Sequence, residues 1–279
     1  MRDRSRPDYR ELFGQQVGLP DAELELDRAA LYLAGEDCPD LDVEACLADL
    51  SALAVRVREK VGVTTDQQVL ADALNHHLFV DLGFTGNTAD YYSSDNSFLN
   101  RVLATRTGIP ITLSVLYLEV GRRLGLDCHG VGLPGHFVVG LDHLGLYLDP
   151  FHSGQWLSAA DCHRLVRDMF GPQMEWRQEF LHPCTKRDIL FRMLANLKHI
   201  SLGRGEYARA IGVIQRMVLT NPSLPSLYKE LAECRLHLQE YRQAIGDLEL
   251  YLHTAEDPQD AADVRRQIKA IWSTLSHLN

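Results

Sequence analysis

Residues 108–126, GIPITLSVLYLEVGRRLGL, and residues 132–151, GLPGHFVVGLDHLGLYLDPF, decide how this chain folds. Pro110 suits a first helical position, where a missing N–H costs nothing. Leu113, Leu116, Tyr117, Val120 and Leu124 then recur at helical spacing. Arg122 and Arg123 complement the C-terminal dipole, and Gly125 stops the helix. After Gly125 the period changes to two. Short strands are predicted over 129–133, 136–141 and 144–149, punctuated by Pro134-Gly135 and Asp142-His143. Neighbours this close in sequence pair antiparallel, so His136 on one strand and Asp149 at the end of the next can meet.

A helix followed by a His strand and an Asp strand is the order in which thiol acyl-transfer cores present their parts. Such chemistry needs a nucleophile, a base and a group that orients the base. A helix N-terminus activates a thiolate through its partial positive charge. His136 supplies the base and Asp149 the orienter, but no Cys lies anywhere from 47 to 127. Cys128 follows the helix instead of opening it, and Cys46 and Cys162 fall within predicted helices. Thr112 and Ser114 carry hydroxyls near the helix start. They are candidate nucleophiles that would lean on His136, or first-turn side chains hydrogen-bonded to backbone, which is the commoner role.

His136 is read either as a base or as a structural His tied to a carboxylate. A four-ligand gathering of His129, His136, Asp149 and His152 has no H-x-H or C-x-x-C spacing behind it, so no metal and no cofactor are expected. Glu119 shares a helix stripe with Thr112 and would need a partner such as Arg101 or Arg106 if that stripe is buried. His76-His77 is read as an exposed helical pair.

Upstream, helices are predicted over 21–35, from Val43 (capped by Asp42) to Val61, and from Thr65 or Asp66 onward. Residues 83–100, GFTGNTADYYSSDNSFLN, form a long ordered loop, with a short helix from Asn96 or Ser97 through Leu103. Residues 1–19 are polar and are expected to be a loosely held tail. Downstream, Ser158 caps a helix to Phe170. From 186 onward the pattern is helical and repeats. GEYARAIGVI begins at Gly205 and QEYRQAIGDL at Gln239, 34 residues later. That period, with Ala210 and Ala244 at matching positions, is the tetratricopeptide signature. Asn221-Pro222 marks one inter-repeat turn and Pro258 the next, with a capping helix over 260–277. Two repeats are fewer than the three or so that stand alone, so they are expected to dock on the preceding domain.

A net charge of −10 without a basic patch argues against nonspecific nucleic-acid binding. No apolar run reaches the roughly 20 residues that cross a bilayer, and the charged N-terminus is not a signal peptide. A cytoplasmic location and six reduced cysteines are expected.

The runs NSFLN (96–100), RTGIPITLSVLY (106–117) and GVGLPGHFVV (130–139) are long and specific. Through them the chain resembles, over about residues 25–275, a bacterial transglutaminase-like family with C-terminal tetratricopeptide repeats, the invasion-gene-regulator type. It also resembles a domain of one eukaryotic F-box protein. The resemblance implies an α+β fold: a transglutaminase-like (papain-like) core with helical N-terminal additions over 20–185, then an α-helical repeat domain over 186–279. In the wider superfamily the catalytic His and Asp would match His136 and Asp149, and the helix-opening Cys would fall at about Pro110. The family shares the missing Cys and has no settled activity. The first functional expectation is therefore a noncatalytic pseudoenzyme that binds a protein or peptide through its repeats and residual cleft. The alternative is an acyl transferase or hydrolase using His136 and Asp149, with Thr112, Ser114 or water as the attacking group.

Overall fold

A computed structural model describes residues 7–38, 40–256 and 259–278. Capping residues set most boundaries. Asp42 accepts the Ala45 N–H and Gly62, in a left-handed φ, ends the helix Val43–Val61. Asp66 caps Gln67–Asn75 by accepting from Gln68 and Val69. In chain order the helical first part comprises α1 (Tyr9–Gly18), α2 (Leu26–Ala34), α3 (Val43–Val61) and α4 (Gln67–Asn75), which runs into a π-helical stretch His76–Asp81. There follow β1 (Thr85–Gly86), α5 (Leu99–Thr105), β2 (Thr107–Gly108) and α6 (Pro110–Leu124). Then come β3 (His129–Val131), β4 (Val138–Leu141), β5 (Leu146–Asp149), β6 (Gln155–Leu157) and α7 (Ala159–Phe170). The last part comprises α8 (Lys186–Gly203), α9 (Tyr207–Thr220), α10 (Ser226–His237), α11 (Tyr241–Thr254) and α12 (Ala261–Leu278). The architecture is α+β, with an all-helical C-terminal repeat region.

The chain divides into two compact units, one up to Met193 and one from Leu194. The sequence pattern put this division at 185/186, where the last helical run begins. It falls instead within α8, because the first turns of α8 belong to the first unit: Ile189, Leu190 and Met193 are buried, and Arg192 donates to the carbonyls of Gly132 and Leu133.

Within the first unit α6 is the central element. Every residue from Pro110 to Gly121 is buried, as expected of a helix apolar nearly all round. It packs against α2, α3, α4, α5 and β4. The antiparallel sheet has the order β3-β4-β5-β6, with His129 opposite Gly140, Val139 opposite Leu148 and Asp149 opposite Gln155. Beneath it Val131, Leu133, Val138, Leu157, Cys162, Val166 and Leu181 form one apolar cluster with α7.

Several local expectations are corrected. Residues 9–18 are not a loose tail: Asp8 caps α1, and Phe13 and Val17 are buried, so two apolar residues suffice to dock the helix. Residues 1–6 and the turn residue Pro258 lie outside the described residues. The loop 83–100 holds β1, parallel to β2, and a 3-10 turn Ser94–Ser97. Asn96 does not start a helix; its buried side chain donates to the Asp90 and Tyr91 carbonyls and accepts from Asn87. His136 precedes its strand, which begins at Val138, and β6 is a further strand. His77 is buried and bonds Asp81 at 3.2 Å, while His76 is exposed. Glu119 takes Arg122 and Arg123, one turn ahead on its own helix, rather than Arg101 or Arg106.

In the second unit α9 and α11 start at Tyr207 and Tyr241, keeping the 34-residue register of the sequence. Ala210 and Ala244 are fully buried where the helices approach, since only small side chains fit there. Ala232, Ala244, Ile245, Leu248, Val264 and Ile271 form its apolar core, with α12 closing the stack.

Candidate functional site

The site is built by the strand ends and the start of α6. Pro134 and Gly135 turn the chain ahead of His136, and Gly135 takes a left-handed φ of +67° that favours glycine. The His136 N–H closes this turn on the Leu133 carbonyl. Asp149 ends β5 and caps the 3-10 turn Pro150–His152, its Oδ1 accepting from the backbone N–H groups of Phe151 (3.0 Å) and His152 (3.4 Å). Its Oδ2 accepts from two imidazoles: His136 Nε2 at 2.8 Å and His152 Nδ1 at 2.7 Å. Burial raises the Asp149 carboxyl, but the hydrogen bonds and charges of His136 and His152 outweigh it and hold the group below the usual carboxylate range. The expected base and orienter therefore do meet, and His152 joins them as a second donor to the same oxygen.

The expected hydroxyls do not meet the base. Thr112 Oγ1 and Ser114 Oγ are buried without a hydrogen-bond partner. They bond neither His136 nor the first-turn backbone that their position suggested. Among the described residues His136 Nδ1 makes no hydrogen bond. No thiol is poised to replace the hydroxyls. Burial pushes Cys128 and Cys162 up to about 12, and Cys234 up to about 11. Cys162 sits in the apolar cluster under the sheet. His129, grouped with the site residues by sequence, lies elsewhere; its Nδ1 faces Asp142 at 3.3 Å.

A cavity of about 780 Å³ opens beside this constellation, within the size range of ligand pockets. Pro110, at the N-terminus of α6, and His136 share its wall with His152 and Phe151. Tyr91 and Tyr92 from the 83–100 loop, and Asp161, Arg164, Asp168 and Met169 from α7, also line it. Tyr91 meets Tyr92 edge-on at 5.3 Å and Phe151 at 6.0 Å. Tyr92 is 61% exposed and Met169 46%. The two tyrosines thus pack against each other and Phe151 and also line the cleft. Only their presence in a Gly/Asn/Ser-rich loop signalled this.

Residues 44–195 match the family described as the transglutaminase-like superfamily. The chain belongs to the transglutaminase-like superfamily. Residues 197–269 of this transglutaminase-like chain match the tetratricopeptide repeat family. It is 32% identical over 246 residues to a UPF0162 protein of Xylella fastidiosa strain Temecula1, covering 86% of this chain and 88% of that one. A UPF0162 protein of Vibrio cholerae is 27% identical over 91% of this chain and 93% of its own. F-box only protein 21 of Pongo abelii is 30% identical over 76% of this chain, which spans only 32% of that protein. No solved structure matches.

Proposed function

We propose that this transglutaminase-like protein is a noncatalytic module that binds a polypeptide partner. One observation carries the reading. The base and its orienter are assembled beside an open cleft, yet the side chain at the start of α6 on the same cleft wall is Pro110. A cleft that retains shape but no attacking atom can still hold a chain. Its rim of Tyr91, Tyr92, Phe151 and Met169 offers the aromatic and thioether contacts that anchor peptides. The tandem repeats support the same reading, because repeat folds of this kind present surfaces to protein partners.

The catalytic alternative in its side-chain form requires Thr112 or Ser114 to reach His136, and their burial inside α6 speaks against that form; its other form is water activated directly by His136. A cytoplasmic location belongs to the same proposal. Every described cysteine is free, as suits a reducing compartment. Among the described residues no helix is long and apolar enough to cross a membrane.

The test is selection of binding peptides from a random displayed library against the whole chain, followed by affinity measurement. The double variant Tyr92→Ser with Met169→Ser alters two exposed side chains and leaves the core untouched. It is expected to weaken a selected peptide at least about tenfold, which corresponds to ~1.4 kcal/mol. Peptides that bind the double variant as well as the parent would count against the cleft as the binding face.

A further inference from the structure

His152 has no part in a base-and-orienter arrangement, which needs one imidazole on the carboxylate and has two. It is half exposed, so burial does not force it inward, yet its Nδ1 lies 2.7 Å from Asp149 Oδ2, the same atom that His136 Nε2 meets at 2.8 Å. The three atoms lie within 4.8 Å of one another. Two imidazole nitrogens and a carboxylate oxygen are the donor set that zinc and its neighbours take, as opposed to the all-oxygen sets of magnesium and calcium.

The spacing suits such an ion. Ligands about 2.0–2.2 Å from a tetrahedral metal stand roughly 3.3–3.6 Å apart, so the two present contacts need to widen by less than about 1 Å. The carboxylate is already oriented from behind, since Asp149 Oδ1 accepts two backbone N–H groups, the kind of outer support that ligating carboxylates carry. His136 and His152 both line the cleft, while Asp149 is buried behind them, so an ion held by the three would face the cavity on the imidazole side.

We propose that His136 Nε2, Asp149 Oδ2 and His152 Nδ1 bind one divalent transition-metal ion of the zinc class, with a coordination position open to the cleft. On binding, each imidazole turns a lone pair to the metal in place of the N–H it now gives Asp149. The displaced proton moves to the ring's other nitrogen or to solvent. The site stands whether or not a polypeptide occupies the cleft.

The experiment titrates the metal-free, full-length protein with Co²⁺ at about pH 7.5. Visible d–d absorption reports the ion, and calorimetry repeats the titration with Zn²⁺. One ion per chain is expected. His152→Ala removes an exposed side chain and leaves the fold intact by circular dichroism. It is expected to weaken binding at least about tenfold, the lower end of what even an outer-shell partner contributes. Asp149→Asn should weaken it similarly. Absence of saturable binding would overturn the site. So would a His152→Ala affinity within tenfold of the parent, because the ion would then sit elsewhere, for example at His76, His77 and Asp81.

Discussion

Pro110→Cys is expected to convert a silent cleft into a reactive one. The substitution is compatible with the backbone: the first helical residue needs no intrahelical N–H bond, and its helical φ suits any L-residue. A thiol there would sit in the partial positive charge of the α6 N-terminus and share a cavity wall with His136, whose Nδ1 has no partner among the described residues. Those two influences lower thiol pKa values from about 8.5 into the range of roughly 3.5–7.5. At about pH 6 the variant should alkylate with iodoacetamide at least about tenfold faster than any resident cysteine. The resident background is low, because burial raises Cys46, Cys128, Cys162, Cys184 and Cys234. Adding His136→Ala should remove most of the gain. Mass spectrometry of labelled peptides against time measures both. A Pro110→Cys thiol no faster than Cys128 would mean that the helix start and the imidazole do not cooperate.

Arg123→Met is expected to cost about 3 kcal/mol of stability or more, because it breaks a buried ion pair. Asp27 on α2 and Glu119 on α6 are both buried, and Arg123 bridges them. It also donates to the Glu119 carbonyl at 2.7 Å. Burial raises the Asp27 carboxyl, but Arg123 outweighs it and the net direction is down. For Glu119, burial and the neighbouring Asp27 charge win, and the net direction is up. Removing Arg123 leaves two buried carboxylates facing each other with only the more exposed Arg122 nearby. Arg122→Met should cost no more than about 1 kcal/mol, as exposed ion pairs do. Urea unfolding of both variants distinguishes them. Equal costs would show that the buried bridge is not what ties α2 to α6.

Much of this fold could be read residue by residue. Asp42 and Gly62 bracket α3, Pro110 and Gly125 bracket α6, and Ser158 with Asp161 makes the capping box that opens α7. These are local signals, and local side chains answer them. The 34-residue echo between Glu206 and Glu240 likewise needs no tertiary information. What escaped depends on distant contacts. α1 has only Phe13 and Val17 on its buried face, too few to stand out in a polar segment. β6 is three residues long and exists because Trp156 pairs with Leu148 of β5. The partners of Glu119 were sought in the preceding sequence, yet the nearest arginines were one turn further along its own helix.

The site divides in the same way. His136 and Asp149 were legible because antiparallel strands of that spacing bring them together. His152 was legible only as a loose member of a four-residue group. Its role comes from the 3-10 turn after Pro150, which swings it back onto the carboxylate it follows. Thr112 and Ser114 looked available from their position, but α6 is buried on all sides for its first three turns.

The central claim is that, among the described residues, no side-chain hydroxyl or thiol is placed for the His136 imidazole to activate. Labelling the unmodified protein with acylating and thiol-directed activity probes, in parallel with His136→Ala, tests it most directly. The expected result is no adduct whose formation depends on His136. A stoichiometric adduct on a hydroxyl or sulfur, present in the parent and absent in His136→Ala, would contradict the claim.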